Sequence, residues 1–196
     1  MPVTNTKFSL NLATVKDKEA SAQDDIPSAR TSEIVEGLIW LGNVKDAKNI
    51  VKLKQLGITH ILNCADDVSN YFEGEFVYCN LQVKDFARDS GISRVFPRAL
   101  QFVQEVRDSK GRMLVHCMAG QNRSVTISII ILMHLHQWTL RQSYDYLLAK
   151  REGICPFDDN KRELIQYELR SYGSNSMNEK DFILVQNLRR PETAHL

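Results

Sequence analysis

The stretch from Met113 to Leu135 restricts the folding of this chain more than any other. Three apolar residues, Met113-Leu114-Val115, lead into the loop His116-Cys117-Met118-Ala119-Gly120-Gln121-Asn122-Arg123-Ser124. The run Val125–Leu135 follows, interrupted only by Thr126, Ser128 and His134. A short apolar run after a turn reads as a buried strand. The second run is apolar on nearly every side, as expected of a helix enclosed by protein. Its β-branched residues favour a strand, but a continuous run of this length exceeds the usual strand, so helix is expected. It is also far short of the roughly 20 residues that a bilayer crossing needs.

Parallel strands need long connections, and helices supply them, so the surrounding pattern matters. Ile34-Val35, the turn Glu36-Gly37 and Leu38–Leu41 predict a hairpin. Ala47, Ile50 and Val51 recur at helical spacing up to Gly57, and Thr59–Asn63 and Phe76–Tyr78 read as strands. An apolar stripe of Phe96, Ala99, Leu100, Val103 and Val106 begins beside Pro97, which a first helical turn tolerates. Thr139 and Gln142 form a capping box for a helix that Gly153 ends, and Asp158 or Asp159 is expected to cap a last helix reaching Tyr172. The expected fold is α/β, a central mostly parallel sheet flanked by helices. Residues 1–32 and 173–196 lack apolar periodicity and are expected to be tails around a unit at 33–172.

The loop carries chemistry. Five residues separate Cys117 from Arg123, a length that can curl successive backbone N–H groups and the helix N-terminus toward one anion. Gly120 permits the dihedrals of such a cradle. A helix N-terminus strongly favours thiolate over thiol, so Cys117 is expected to be an ionised nucleophile. Arg123 offers a planar fork matched to two phosphate oxygens. His116 is expected to fix the loop and activate the thiol through hydrogen bonding, and Ser124 to donate to the departing sulfur. Met118, Ala119, Gly120, Gln121 and Asn122 are the residues expected to surround the phosphate with Arg123.

His116-Cys117-x-Ala119-Gly120-x-x-Arg123-Ser124 resembles the signature of the dual-specificity branch of the protein tyrosine phosphatases. Leu38-x-x-Leu41-Gly42-Asn43, Gly57–Asn63 and the region of Asp85 fall in that family's order, so the resemblance covers about residues 33–172. It implies hydrolysis of phosphotyrosine and phosphoserine/threonine through a cysteinyl-phosphate. It also implies an aspartate that protonates the leaving oxygen: Asp85 fits best, with Asp89 as the alternative. Near Cys155–Asn160 the family often has Pro-Asn before an aromatic residue, whereas here Phe157 and Asn160 stand there, so the support behind the loop is expected to differ.

Twenty-five Lys and Arg against 24 Asp and Glu leave no large basic field, which argues against nucleic acid. The four cysteines lack the paired spacing of a zinc site, and no metal or cofactor is expected. Without a signal-like or lipidation motif, an unanchored protein of the cytoplasm, with the nucleus as a second location, is expected. The expected partner is a phosphorylated protein, a kinase among the candidates. Oligomeric state stays open. Three alternatives also stay open: a phosphoinositide phosphatase, disfavoured because the loop holds no lysine; an RNA 5′-phosphatase, suggested by Asn122-Arg123; and a module that binds phosphoproteins without turnover.

Cys64 follows the strand Ile61-Leu62-Asn63, whose end shares a rim with the end of Met113–Val115 if the sheet is parallel. Some relatives place a resolving cysteine there. Cys64 is therefore a candidate redox partner of Cys117, against the plainer reading of a small buried apolar residue.

Overall fold

The computed structural model describes residues 31–85 and 91–182. Its strands are β1 (Ser32–Val35), β2 (Ile39–Gly42), β3 (His60–Ala65), β4 (Val77–Val83) and β5 (Met113–His116), in the sheet order β1-β2-β5-β3-β4. β1 and β2 form the expected hairpin, and every other pairing is parallel. The expected mostly parallel sheet is therefore present, with β5 at its centre.

Side chains alternate between the two faces of a strand, and the packing follows that period. Ile39, Leu41, Leu62, Met113 and Val115 face one buried cluster, while Trp40, Ile61 and Leu114 face the other. The first face is covered by α3 (Phe96–Asp108), α4 (Arg123–His136), α5 (Leu140–Lys150) and α6 (Asp158–Tyr172). The second is covered by α1 (Val44–Ala47) and α2 (Ile50–Gln55). α4 runs between the sheet and the other large helices, with Val125 and every residue from Ile127 to Met133 buried. Each large side chain there contributes roughly 1.5–3 kcal/mol through burial, which outweighs the tenths of a kcal/mol that β-branching costs a helix. Among the described residues no helix is long and apolar enough to cross a membrane.

Four details differ from the sequence reading. The helix expected from Ala47 to Gly57 is two helices, because Asn49 leaves the first and caps the second by accepting from Lys52 N at 3.0 Å. α5 stops at Lys150 rather than at Gly153, since Arg151 turns extended. α6 is preceded by Phe157, with Asp158 and Asp159 inside its first turn, where their charge still suits the dipole.

Packing also continues past Tyr172, where a tail was expected. Met177 and Phe182 are buried, and Phe182 meets Tyr144 edge to face with ring centroids 4.9 Å apart. The buried Glu168 carboxylate accepts from Leu140 N (2.7 Å), Ser176 N (2.8 Å) and Ser176 Oγ (2.6 Å). Isolated anchors of this kind carry no period, so the sequence pattern does not show them. The expected tail at 1–32 lies outside the described residues except for Thr31 and Ser32, and Ser32 already belongs to β1.

Candidate active site

Cys117 sits immediately after the central strand, where Gly42 of β2 and Asn63 of β3 flank His116 on either side. The loop after it is anchored from three directions. Val44 N donates to Met118 O at 3.1 Å, Cys155 N donates to Gln121 O at 2.8 Å, and the Arg151 Nε donates to Gly120 O at 3.0 Å. Arg151 is itself buried. Gly120 has φ +69°, and a Cβ there would stand 2.5 Å from Gly42 O and 2.6 Å from Arg151 Nη2, so a side chain is excluded by both dihedral and space.

At the centre, Ser124 Oγ is 3.1 Å from Cys117 Sγ and Gly120 N donates to the same sulfur at 3.3 Å. Asn122 precedes the first helical residue of α4, yet its side chain caps no amide of that helix. The unpaired amides of a helix start are thus left for an anion. Met118, Ala119 and Gln121 are exposed at the mouth, while Gly120 and Asn122 are buried in the cradle.

Arg123 is buried almost completely and surrounded by acceptors. Its Nη1 donates to Asp67 Oδ1 at 2.7 Å and Val83 O at 3.1 Å, with Asp66 Oδ1 at 3.5 Å. Its Nε is 3.2 Å from Asp85 Oδ1 as an ion-pair neighbour. Among the described residues that buried Nε has no hydrogen-bond acceptor. Burial opposes the charge, but the Asp67 hydrogen bond and the nearby Cys117 and Asp85 more than offset it and raise the Arg123 pKa.

Asp85 follows β4 and is half-buried; Asn122 Nδ2 donates to its Oδ1 at 3.0 Å. Asp89 lies outside the described residues. His116 directly precedes Cys117 and is buried. Burial lowers its pKa to about 4, against the opposing pull of the Cys117 backbone and Asp46, so the ring is neutral at pH 7. Among the described residues the hydrogen-bond partners of Sγ are Ser124 Oγ and Gly120 N. Cys64 is fully buried in β3; burial, with the Cys117 sulfur as a second cause, pushes its thiol well up.

Asp66, Asp67 and Arg151 also line the site and were not legible in the sequence, whereas Asn160 was singled out there only as part of the difference behind the loop. Asn160 Nδ2 donates to Asn122 Oδ1 at 2.8 Å, so the expected difference behind the loop is filled by this contact. Charged residues at a strand end or helix end read as solvated unless their neighbours are known, and no local signal marks these three. Among the described residues no group of three or more His, Cys, Asp or Glu could hold a metal ion.

Residues 39–170 match the profile of the family "Dual specificity phosphatase, catalytic domain". This chain belongs to that family. The human dual specificity protein phosphatase 7 is 35% identical to this phosphatase domain over 155 residues, covering 77% of the chain and 36% of the relative. The Drosophila melanogaster dual specificity protein phosphatase Mpk3 is 32% identical over 139 residues, covering 69% of the chain and 33% of the relative. The domain thus spans about a third of the length of these relatives. Among solved structures, it resembles the human tyrosine phosphatase-like serine/threonine/tyrosine-interacting protein (TM-score 0.65, 28% identity, covering 72% of this chain and 97% of that one). It also resembles DUSP15 (TM-score 0.66, 26% identity, 72% and 88% covered).

Proposed function

We propose that this protein hydrolyses phosphotyrosine and phosphoserine/threonine in proteins, with residues 33–172 and the stretch packed on to Phe182 as its catalytic unit. The Cys117 thiolate attacks phosphorus, the S–P bond forms and the ester P–O bond breaks. Asp85 gives its proton to the leaving oxygen. Water then attacks the cysteinyl-phosphate, Asp85 takes a proton from it, and the sulfur leaves with the Ser124 hydroxyl donating to it. The loop amides and Arg123 hold the charge that spreads over the transferring phosphoryl group.

The observation that carries this reading is the buried Arg123 beside the Cys117 loop, whose Nε makes no hydrogen bond among the described residues and has Asp85 Oδ1 as an ion-pair neighbour at 3.2 Å. A phosphate oxygen satisfies it. Asp66, Asp67 and Asp85 around that single arginine favour a phosphoryl group on a protein side chain over polyanionic inositol lipids or RNA. A catalytic thiolate belongs in a reducing compartment, in keeping with the cytoplasm and nucleus. A kinase is one phosphoprotein with the required chemistry. The structural neighbour named as phosphatase-like and interacting raises the reading of binding without turnover, yet Cys117, Arg123 and Asp85 are all present here.

The test is turnover of p-nitrophenyl phosphate and of a panel of phosphotyrosine and phosphothreonine peptides, phosphoinositides and 5′-phosphorylated RNA by wild type and Cys117→Ser. Peptide turnover that Cys117→Ser abolishes supports the proposal. Peptide binding without turnover by wild type, or faster turnover of lipid or RNA than of peptides, overturns it.

A further inference from the structure

The Asn122 side chain joins three separate elements. Its Oδ1 accepts from Phe157 N at 2.8 Å and from Asn160 Nδ2 at 2.8 Å, both at the start of α6. Its Nδ2 donates to Asp85 Oδ1 at 3.0 Å. A backbone N–H can only donate, so Phe157 fixes which end of the carboxamide is oxygen and leaves the NH2 end to face Asp85. An asparagine at a helix N-cap ordinarily accepts from that helix's own amides, an arrangement worth about 1 kcal/mol. Asn122 forgoes it and is buried.

We infer that Asn122 is a positioning residue for the general acid. In a protonated carboxyl the carbonyl oxygen is a stronger acceptor than the hydroxyl oxygen, so the amide N–H holds Oδ1 as the acceptor and favours Oδ2 as the atom that carries the proton to the leaving group. Arg123 is an ion-pair neighbour of the same Oδ1 at 3.2 Å. When phosphate takes the Arg123 fork, the neutral Asn122 remains as the tether between Asp85 and the phosphate loop. Because α6 fixes the carboxamide from behind, the acid is registered against the loop through Phe157 and Asn160. This inference rests on Asp85 being the general acid.

The test compares kcat/KM for phenyl phosphate, whose leaving group needs a proton, with that for 2,4-dinitrophenyl phosphate, whose leaving group does not. Asn122→Asp is nearly isosteric and keeps the acceptor toward α6 while removing the donor to Asp85; Asn122→Ser shortens the side chain. Both variants are expected to lose on the order of tenfold to thirtyfold with phenyl phosphate, part of the hundredfold or more that general acid catalysis supplies, and several-fold less with the dinitrophenyl ester. In an Asp85→Asn background, Asn122→Ser is expected to add nothing to that difference. Competitive inhibition by tungstate checks that the loop is intact. Equal losses on both esters with weakened tungstate inhibition mean that Asn122 only supports the loop, and the inference is overturned. If Asp85→Asn itself shows no leaving-group dependence, the acid assignment fails instead.

Discussion

The Ser124 hydroxyl lies 3.1 Å from the Cys117 sulfur, on the first turn of the helix that the phosphate loop feeds. A hydroxyl there is proposed to stabilise the thiolate as it leaves phosphorus, which puts its contribution in the second half-reaction. Ser124→Ala is expected to keep kcat/KM near wild type, to lower kcat by on the order of a hundredfold, and to release the first equivalent of p-nitrophenol in a burst. Stopped-flow with p-nitrophenyl phosphate checks this, and a uniform loss without a burst would place the role of Ser124 in the first step.

Asp85→Asn is expected to lower kcat/KM by roughly a hundredfold or more for phosphopeptides and less for activated aryl phosphates. Asp89→Asn is expected to stay close to wild type. The reverse pair of results would move the acid four residues along the chain.

His116 sets a pH dependence of stability. Its folded-state pKa, about 4, lies below the ordinary 6.5 because burial disfavours the charged ring. Between those values the unfolded chain binds more protons, so stability is complete above pH 6.5 and is lost as pH falls toward 4, by about 3 kcal/mol from this residue. His60, also lowered by burial, acts in the same direction. Urea unfolding of wild type and His116→Gln at pH 7.5, 6 and 5 separates the two, and a variant that loses stability as steeply as wild type would refute the assignment.

Cys64 is proposed to resolve oxidation of Cys117. Peroxide converts the Cys117 thiolate to a sulfenic acid, and condensation with the Cys64 thiol forms a disulfide and releases water. Burial and the Cys117 sulfur hold Cys64 as a neutral thiol, and oxidation of Cys117 removes the second of these causes. Peroxide treatment followed by non-reducing peptide mapping is expected to show a Cys64–Cys117 bridge and recovery with dithiothreitol. Cys64→Ser recovering as fully as wild type would return Cys64 to core filling.

Much of the machinery was legible because it is local. Cys117, Gly120, Arg123 and Ser124 lie within eight residues, and a strand–loop–helix of that length brings them together whatever surrounds it. The helix from Arg123 to His136 could be read against its β-branched content because its length and all-round apolarity leave burial as its one stable setting. The capping box of Thr139 and Gln142 is equally local and is present.

The sequence alone thus determined the α/β layering and picked out Cys117 as the proposed nucleophile and Arg123 as the proposed phosphate clamp, all of which depend on short spacing or on apolar period. Only the tertiary structure decided who stands around them. The order β2-β5-β3-β4 brings the ends of β3 and β4 to one rim, so Asp66, Asp67 and Asp85 meet around Arg123. The turn after α5 carries Arg151 onto Gly120 O, and the start of α6 carries Phe157 N and Asn160 onto Asn122. Charged and amide side chains are satisfied by water wherever they are exposed, so their sequence neighbours do not dictate a partner. Burial removes the water and leaves only the groups that the fold brings within reach.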